Sequence, residues 1–318
     1  MGEHPKNQHV FRCDIKKSKI SKIIPFIKWR RFVIQRLEKE NYDSLVILTT
    51  IPGVLLNKYL IKKYKENYIF DIRDYTFENL KVYSNIVNAL IKKSKVTLIS
   101  SEGFKEWLLP SEKIYLTHNI SNIDQVNSKE QINLKMNKLS IGFVGGIRYY
   151  KENCQLIDQL KEHPNLTVKY IGKIHLGINL KEYCRKKKVK NVVFEPEYKN
   201  DEKKEIYEKI DIINAVYGSE TFVVKTALPN KLYDCILFKK PIMVSKNTYL
   251  EKIVEKYKLG FAVDIYKDNI YSELEKYVKK FNSKLYLKGC NQWLEKVLEE
   301  ESYTNRILED WANKIQEK

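Results

Sequence analysis

Short apolar runs alternate with longer stretches of helical periodicity along most of the chain. Ser44–Thr50 (SLVILTT) reads as a buried strand, and Pro52-Gly53 opens a helical pattern running to about Tyr64. Tyr68–Arg73 (YIFDIR) reads as a second strand, followed by a helix near Phe77–Lys92. Lys95–Ser101 (KVTLISS) is a third strand, Glu102–Leu108 a short helix and Lys113–Thr117 a fourth strand. After a polar stretch the alternation restarts, with strands at Leu139–Val144, Leu166–Ile171, Asn191–Phe194, Asp211–Val216 and Pro241–Ser245. Helices fall between them near Lys151–Glu162, Leu180–Lys187, Asp201–Lys209 and Asn230–Phe238, and two or more follow Asp268. Strands that alternate with helices predict parallel sheets covered on both faces. The expected architecture is α/β, with two Rossmann-like, doubly wound domains. The expected division is a domain at 1–118, a linker at 119–137, a domain at 138–298 and a C-terminal helix at 299–318 that packs back on the first. Residues 1–43 offer no apolar strand, so the first domain is expected to lack its opening strand.

A chain of 318 residues suffices for two domains, and a 43% hydrophobic share can fill both cores. The formal charge of +18 points to an anionic partner: nucleic acid, a membrane surface or phosphorylated substrates. It is equally what a chain rich in Lys, Ile, Asn and Tyr throughout would carry. No nucleic-acid recognition motif accompanies it, so no nucleic-acid partner is expected. Cys13, Cys154, Cys184, Cys235 and Cys290 are odd in number and lack metal-ligand spacing, which fits reduced thiols in a cytoplasmic protein and no metal site. No apolar run approaches the ~20 residues that cross a bilayer. The polar start, Met-Gly-Glu-His-Pro, has no signal-peptide core.

Two segments carry candidate chemistry in the second half. In Ile141–Lys151 a strand runs into Gly145-Gly146, then Arg148 and Lys151, then a helix. Glycines let a backbone approach a phosphate closely, and the two cations can neutralise one. An ordinary tight turn with solvated cations has the same composition. In Ala227–Ser245, Pro229 stands where a helix begins, and free amides at a helix start favour an anion. Lys231 is misplaced for the helix dipole unless a phosphate lies beside it, and Asp234 is placed to accept hydrogen bonds from a ribose. An amphipathic helix with Leu232, Ile236 and Leu237 in the core accounts for the pattern as well.

Taken together, Leu139–Asp264 resembles the donor domain of GT-B-fold glycosyltransferases of the group 1 kind, including those of bacterial capsule and exopolysaccharide synthesis. The resemblance rests on the Gly-to-Lys opening at Val144–Lys151 and the helix-to-strand step at Lys239–Met243. Between them lie Val168–Gly172 (VKYIG), Val192–Pro196 (VVFEP) and Ile206–Ile213 (IYEKIDII). It implies that the second domain holds a nucleotide-sugar donor, UDP- or GDP-linked, and that the first serves the acceptor. Arg148 and Lys231 would contact the diphosphate, Gly145 and Gly146 would admit it, and Asn230 would stand at the helix start. Asp234 falls where the family has the second Glu of its Glu-x7-Glu pattern; Thr226 replaces the first. That departure leaves the sugar contact to Thr226 or to Glu220 in the preceding loop.

Catalytic candidates are Asp71 and Asp74, at the end of a parallel strand where such sheets bind ligands, and His118. A solvated Asp–Arg pair and a structural histidine are the competing readings. The basic stretch Lys16–Lys39, with Lys28, Trp29, Arg30 and Arg31 at its centre, fits an anionic membrane surface or a helix packed on its own domain. The expectation is a glycosyltransferase, retaining and independent of metal or other cofactor. It would act on a glycan or lipid-linked acceptor in surface polysaccharide synthesis, in the cytoplasm and peripheral to the inner face of the plasma membrane. An inactive or truncated nucleotide-binding relative, or a subunit, is the alternative.

Overall fold

The computed structural model describes residues 9–12, 23–120, 131–175 and 177–316. Cys13, Lys16, Lys17, Lys19, Lys22 and most of the expected linker lie outside them. The chain forms two compact units. The described residues up to Ile99, Trp107–Tyr115 and the residues from Arg306 onward make the first; Ser100–Glu106 and Leu116–Asn305 make the second.

The first unit opens with α1 (Ile23–Glu40), β1 (Leu45–Leu48) and α2 (Thr50–Lys63). Pro52 sits in the first turn of α2, where its missing N–H costs nothing. β2 (Tyr68–Ile72), α3 (Lys81–Lys93), β3 (Val96–Ile99) and β4 (Ile114–Leu116) follow. α3 starts later than its periodicity suggests, because Glu78 bends the preceding segment by accepting the Thr76 amide at 2.5 Å. The sheet runs β1-β2-β3-β4, with β1 and β3 parallel to β2. One face packs under α2 and α3: Gly53 of α2 lies so close to Phe70 that a Cβ there would meet the ring at 2.8 Å. On the other face Ile69, Val96 and Leu98 are covered by Ile307, Leu308 and Trp311.

β1 corrects one expectation. Its apolar run predicts a fully buried strand, yet Val46 and Leu48 are 57% and 60% exposed. They are in register with Ile69 and Asp71, so they continue the face covered by Trp311 beyond the reach of that cover. Among the described residues no strand pairs with the free edge of β1, and none precedes it.

The second unit contains β5 (Leu139–Val144), α4 (Tyr150–Leu160), β6 (Leu166–Ile171), α5 (Leu180–Lys186), β7 (Val192–Glu195), α6 (Lys203–Glu208) and β8 (Ile212–Ala215). Then come α7 (Phe222–Thr226), α8 (Asn230–Phe238), β9 (Ile242–Ser245), α9 (Tyr249–Lys256), β10 (Gly260–Val263) and α10 (Ile270–Lys280). α11 (Ser283–Gln316) runs on past the unit boundary at Asn305. The six strands are parallel in the order β10-β9-β8-β5-β6-β7, so the winding direction reverses between β5 and β8. Burial on both faces explains why β5, β8 and β9 read as largely apolar runs rather than alternating ones. Both chain architectures are therefore parallel and Rossmann-like, as the alternation predicts.

Candidate functional site

In an open parallel sheet, loops leaving the strands part where the winding reverses and leave a crevice at the strands' C-terminal ends. Here that crevice is a cavity of about 610 Å³ lying wholly within the second unit. Its walls come from the loops after β5, β6, β7 and β8 and from the start of α8.

The loop after β5 is built for close approach. Gly145 holds φ +109°, which side chains rarely adopt, and Gly172 at φ +127° packs against its carbonyl. A Cβ on Gly172 would stand 2.4 Å from the Gly145 oxygen. The Gly145 amide donates to the Ile171 carbonyl and is thereby spent within the fold. Tyr149 adopts left-handed φ 60°, ψ 59°. Asn153, buried on α4, fixes this turn by donating to the carbonyls of Arg148 (2.6 Å) and Tyr149 (2.9 Å). Arg148 lines the cavity and its Nε donates to His175 at 3.2 Å. Lys151 is exposed on α4 and does not line the cavity.

Helix α8 starts at Asn230, with Pro229 as its cap residue. The first-turn amides of a helix have no partner within it. Asn230 and Lys231 line the cavity at this positive helix end. The Lys231 ammonium is buried, donates to the Tyr217 hydroxyl at 3.0 Å and lies 3.8 Å from the Phe143 ring centre. No carboxylate among the described residues pairs with it. Burial chiefly, and then Lys203 and Arg148, pull its pKa down to about 7 against the opposing field of Asp234. A phosphate in the cavity would restore its charge.

Asp234, one turn further on, is already engaged. Lys203 Nζ lies 2.9 Å from its Oδ1, and Tyr207 donates to Oδ2 at 2.7 Å. Tyr198, Asn200, Lys173 and Glu197 complete the far wall.

The remaining candidates lie elsewhere. Thr226 is fully buried, and its hydroxyl donates to Phe222 at 2.8 Å while its carbonyl accepts from Ser101 at 2.5 Å. It faces no cavity described above, because α7 turns it inward. Glu220 is exposed and lines a separate cavity of about 300 Å³ with Lys246, Asn247 and Tyr266. His118 is buried: Nδ1 meets the Tyr233 hydroxyl at 2.9 Å and Nε2 meets Glu300 at 2.8 Å. A carboxylate only accepts, so Nε2 carries the proton and both ring nitrogens are committed. The competing reading of His118 as a structural residue fits this geometry.

In the first unit, Asp71 is buried and Arg73 Nε lies 2.7 Å from its Oδ1, while Asp74 is exposed. Beside this strand end, Thr50, Thr76, Tyr83 and the buried Glu78 form a hydrogen-bonded group that sequence reasoning missed. On α1, Lys28 and Arg31 are exposed, but Trp29 and Arg30 are half-buried, and Arg30 donates to the Leu55 carbonyl at 2.9 Å. Arg30 thus belongs to the packing of α1 on α2, not to a free surface.

Sequence reasoning also missed Lys203, Tyr207 and Tyr217. Lys203 carries the same signal as Lys231, a cation in the first turn of a helix.

No family model matches the sequence, and no curated protein matches it. Solved structures do. Sucrose-phosphate synthase from Thermosynechococcus elongatus aligns over 95% of this chain and 80% of its own, with TM-score 0.69 and 10% identity. Anabaena HepE in complex with UDP-glucose covers 93% and 84%, with TM-score 0.67 and 14% identity. The trehalose-6-phosphate structure from E. coli bound with UDP-2-fluoro glucose covers 96% and 80%, with TM-score 0.64 and 10% identity. The fold is GT-B. Two Rossmann-like units are what that fold consists of, and in this GT-B chain the described cavity sits at the sheet reversal of the second.

Proposed function

We propose that this GT-B chain is a glycosyltransferase whose second unit holds a nucleotide-diphospho-sugar, UDP- or GDP-linked, in the cavity at the β5/β8 reversal. The observation that carries the reading is Lys231: a buried ammonium with no carboxylate partner among the described residues, at a helix start, in a cavity of ligand size. Burying a cation unpaired is costly, and an anionic ligand is what offsets the cost. The fold is shared with structures that hold UDP, UDP-glucose and UDP-2-fluoro glucose. In this reading Lys231, Arg148 and the α8 amides stabilise the charge that develops on the leaving diphosphate, so the protein's own cations do the work of a metal. Retention at the sugar, a glycan or lipid-linked acceptor in surface polysaccharide synthesis, and a cytoplasmic site against the inner membrane face complete the proposal. Exposed Lys28 and Arg31 support the last of these.

Calorimetry with UDP and GDP tests the core of it. Lys231→Ala should cost about 1.5–3 kcal/mol of affinity, the scale of a charge-assisted hydrogen bond. Silence with both nucleotides, or unchanged affinity in the variant, would refute it. A second reading, a nucleotide-binding subunit without transfer activity, is favoured by the inward-turned Thr226 and the exposed side of β1. UDP binding without sugar transfer or UDP-sugar hydrolysis would select it.

A further inference from the structure

Lys231 and Asp234 stand three residues apart on α8, the spacing at which helix side chains meet and opposite charges pair. Both line the same cavity. Yet they are not paired. The Lys231 ammonium points to Tyr217 and the Phe143 ring, and the Asp234 carboxylate is taken up by Lys203 and Tyr207. Lys203 is the first residue of α6, an element the β8 strand separates from α8 along the chain. Its side chain is 13% exposed and Asp234's is 10%, so the pair is held and little screened.

We infer that Lys203 is a positioning residue for the donor site: by occupying Asp234 it keeps that carboxylate from pairing with Lys231, and so leaves the Lys231 ammonium open to the diphosphate. The inference rests on the proposed donor site and adds to it the device that keeps its central cation unpaired. It differs from a direct contact between Lys203 and the nucleotide, because the effect of Lys203 on binding then runs through Asp234. The charged and titratable groups that share the cavity with Lys231 or act on it are Arg148 and Tyr149 after β5, Lys173 after β6, Glu197 and Tyr198 after β7, Lys203 and Tyr207 from α6, Tyr217 after β8, and Asp234 on its own helix. Removing Lys203 takes away one like charge and frees the carboxylate three residues along the same helix. Both changes favour the protonated Lys231, so its titration should move upward from about 7.

The test uses the full chain with Lys203→Met, Lys203→Arg, Asp234→Asn and the double variant Lys203→Met/Asp234→Asn. NMR of ¹³C-labelled lysine side chains, with Lys231→Arg for assignment, reads the Lys231 midpoint in the empty protein. Calorimetry at one pH reads UDP affinity. The expected result is a midpoint raised by a unit or more and UDP affinity lowered about tenfold in Lys203→Met, one decade per pK unit. In the double variant the midpoint should return close to the parent and UDP should bind more tightly than in Lys203→Met, and in Lys203→Arg neither should move far. Thermal melts confirm that each variant folds; the double variant, which leaves neither member of the Lys203–Asp234 pair charged and alone, serves where Lys203→Met does not. A Lys231 midpoint unmoved by Lys203→Met overturns the inference. So does a double variant that binds UDP as weakly as Lys203→Met, which would make Lys203 a direct nucleotide contact. If the parent binds neither UDP nor GDP, the donor reading fails, while the midpoints still decide whether Lys203 governs the charge of Lys231.

Discussion

The strands that open the two sheets have similar composition and opposite fates. β5 (Leu139–Val144) lies between β6 and β8, and Ile141 and Phe143 are almost wholly buried. β1 (Leu45–Leu48) lies at an edge, with Val46 and Leu48 more than half exposed. The first sheet winds in one direction through its described strands; the second reverses beside β5. A reversal parts neighbouring loops, and the second sheet carries a cavity at its strand ends there. The lesson is that the site follows from strand order more than from strand composition.

The comparison can be broken most directly by truncation. Ile141→Ala in β5 should destabilise the second unit by about 2–5 kcal/mol, whereas Leu48→Ala in β1 should cost under about 0.5 kcal/mol, as exposed positions do. Chemical denaturation reads both; equal costs would mean that β1 is covered in solution. Hydrogen exchange sharpens the same point, with β1 amides exchanging well before those of β5.

Lys231 offers a second contrast, between stability and binding. Its folded pKa, about 7, lies below the ordinary lysine value, so between those two values the unfolded chain holds the extra proton. Stability contributed by this group therefore rises with pH across that window and is lowest below 7. Lys231→Met should raise the melting temperature by roughly a few degrees at pH 6, with the gain shrinking toward pH 10. A variant that melts lower than the parent at pH 6 would contradict the buried, unpaired ammonium.

The smallest effect belongs to α1. Lys28→Ser with Arg31→Ser should weaken sedimentation with anionic vesicles by about 2 kcal/mol, near 1 kcal/mol per cation, and leave the melt unchanged. Arg30→Ser should instead lower the melt, because Arg30 holds the Leu55 carbonyl. Vesicle binding that ignores the first pair would remove the membrane from the proposal.

Local signals carried far in this chain. The limits of β5, β6 and α8 were legible to the residue, since a Gly-Gly turn and a helix-opening proline are written next to the elements they bound. Arg148, Asn230, Lys231 and Asp234, singled out from two separate segments, line one cavity. What escaped was set by distant partners. β10 (Gly260–Val263) is short and earns its place only by pairing with β9. The edge position of β1 was hidden because an apolar run reads alike whether one face or two are covered. Tyr207 and Lys203 reach Asp234 across about thirty residues, and the inward turn of Thr226 depends on Ser101, more than a hundred residues earlier.

Trp311, Ile307 and Leu308 cover β2 and β3 from a helix at the far end of the chain. During synthesis, then, the sheet that is made first is the one that must wait. Its strands leave the ribosome early, but one side stays bare until residues past Asn305 emerge. The second unit is contiguous apart from Ser100–Glu106 and can close as soon as its own residues are out. The usual order, with the N-terminal unit completed first, is closed to a unit that needs residues from Arg306 onward. Whatever slows or trims translation near residue 306 falls not on the cavity of the second unit but on the sheet built two hundred residues before.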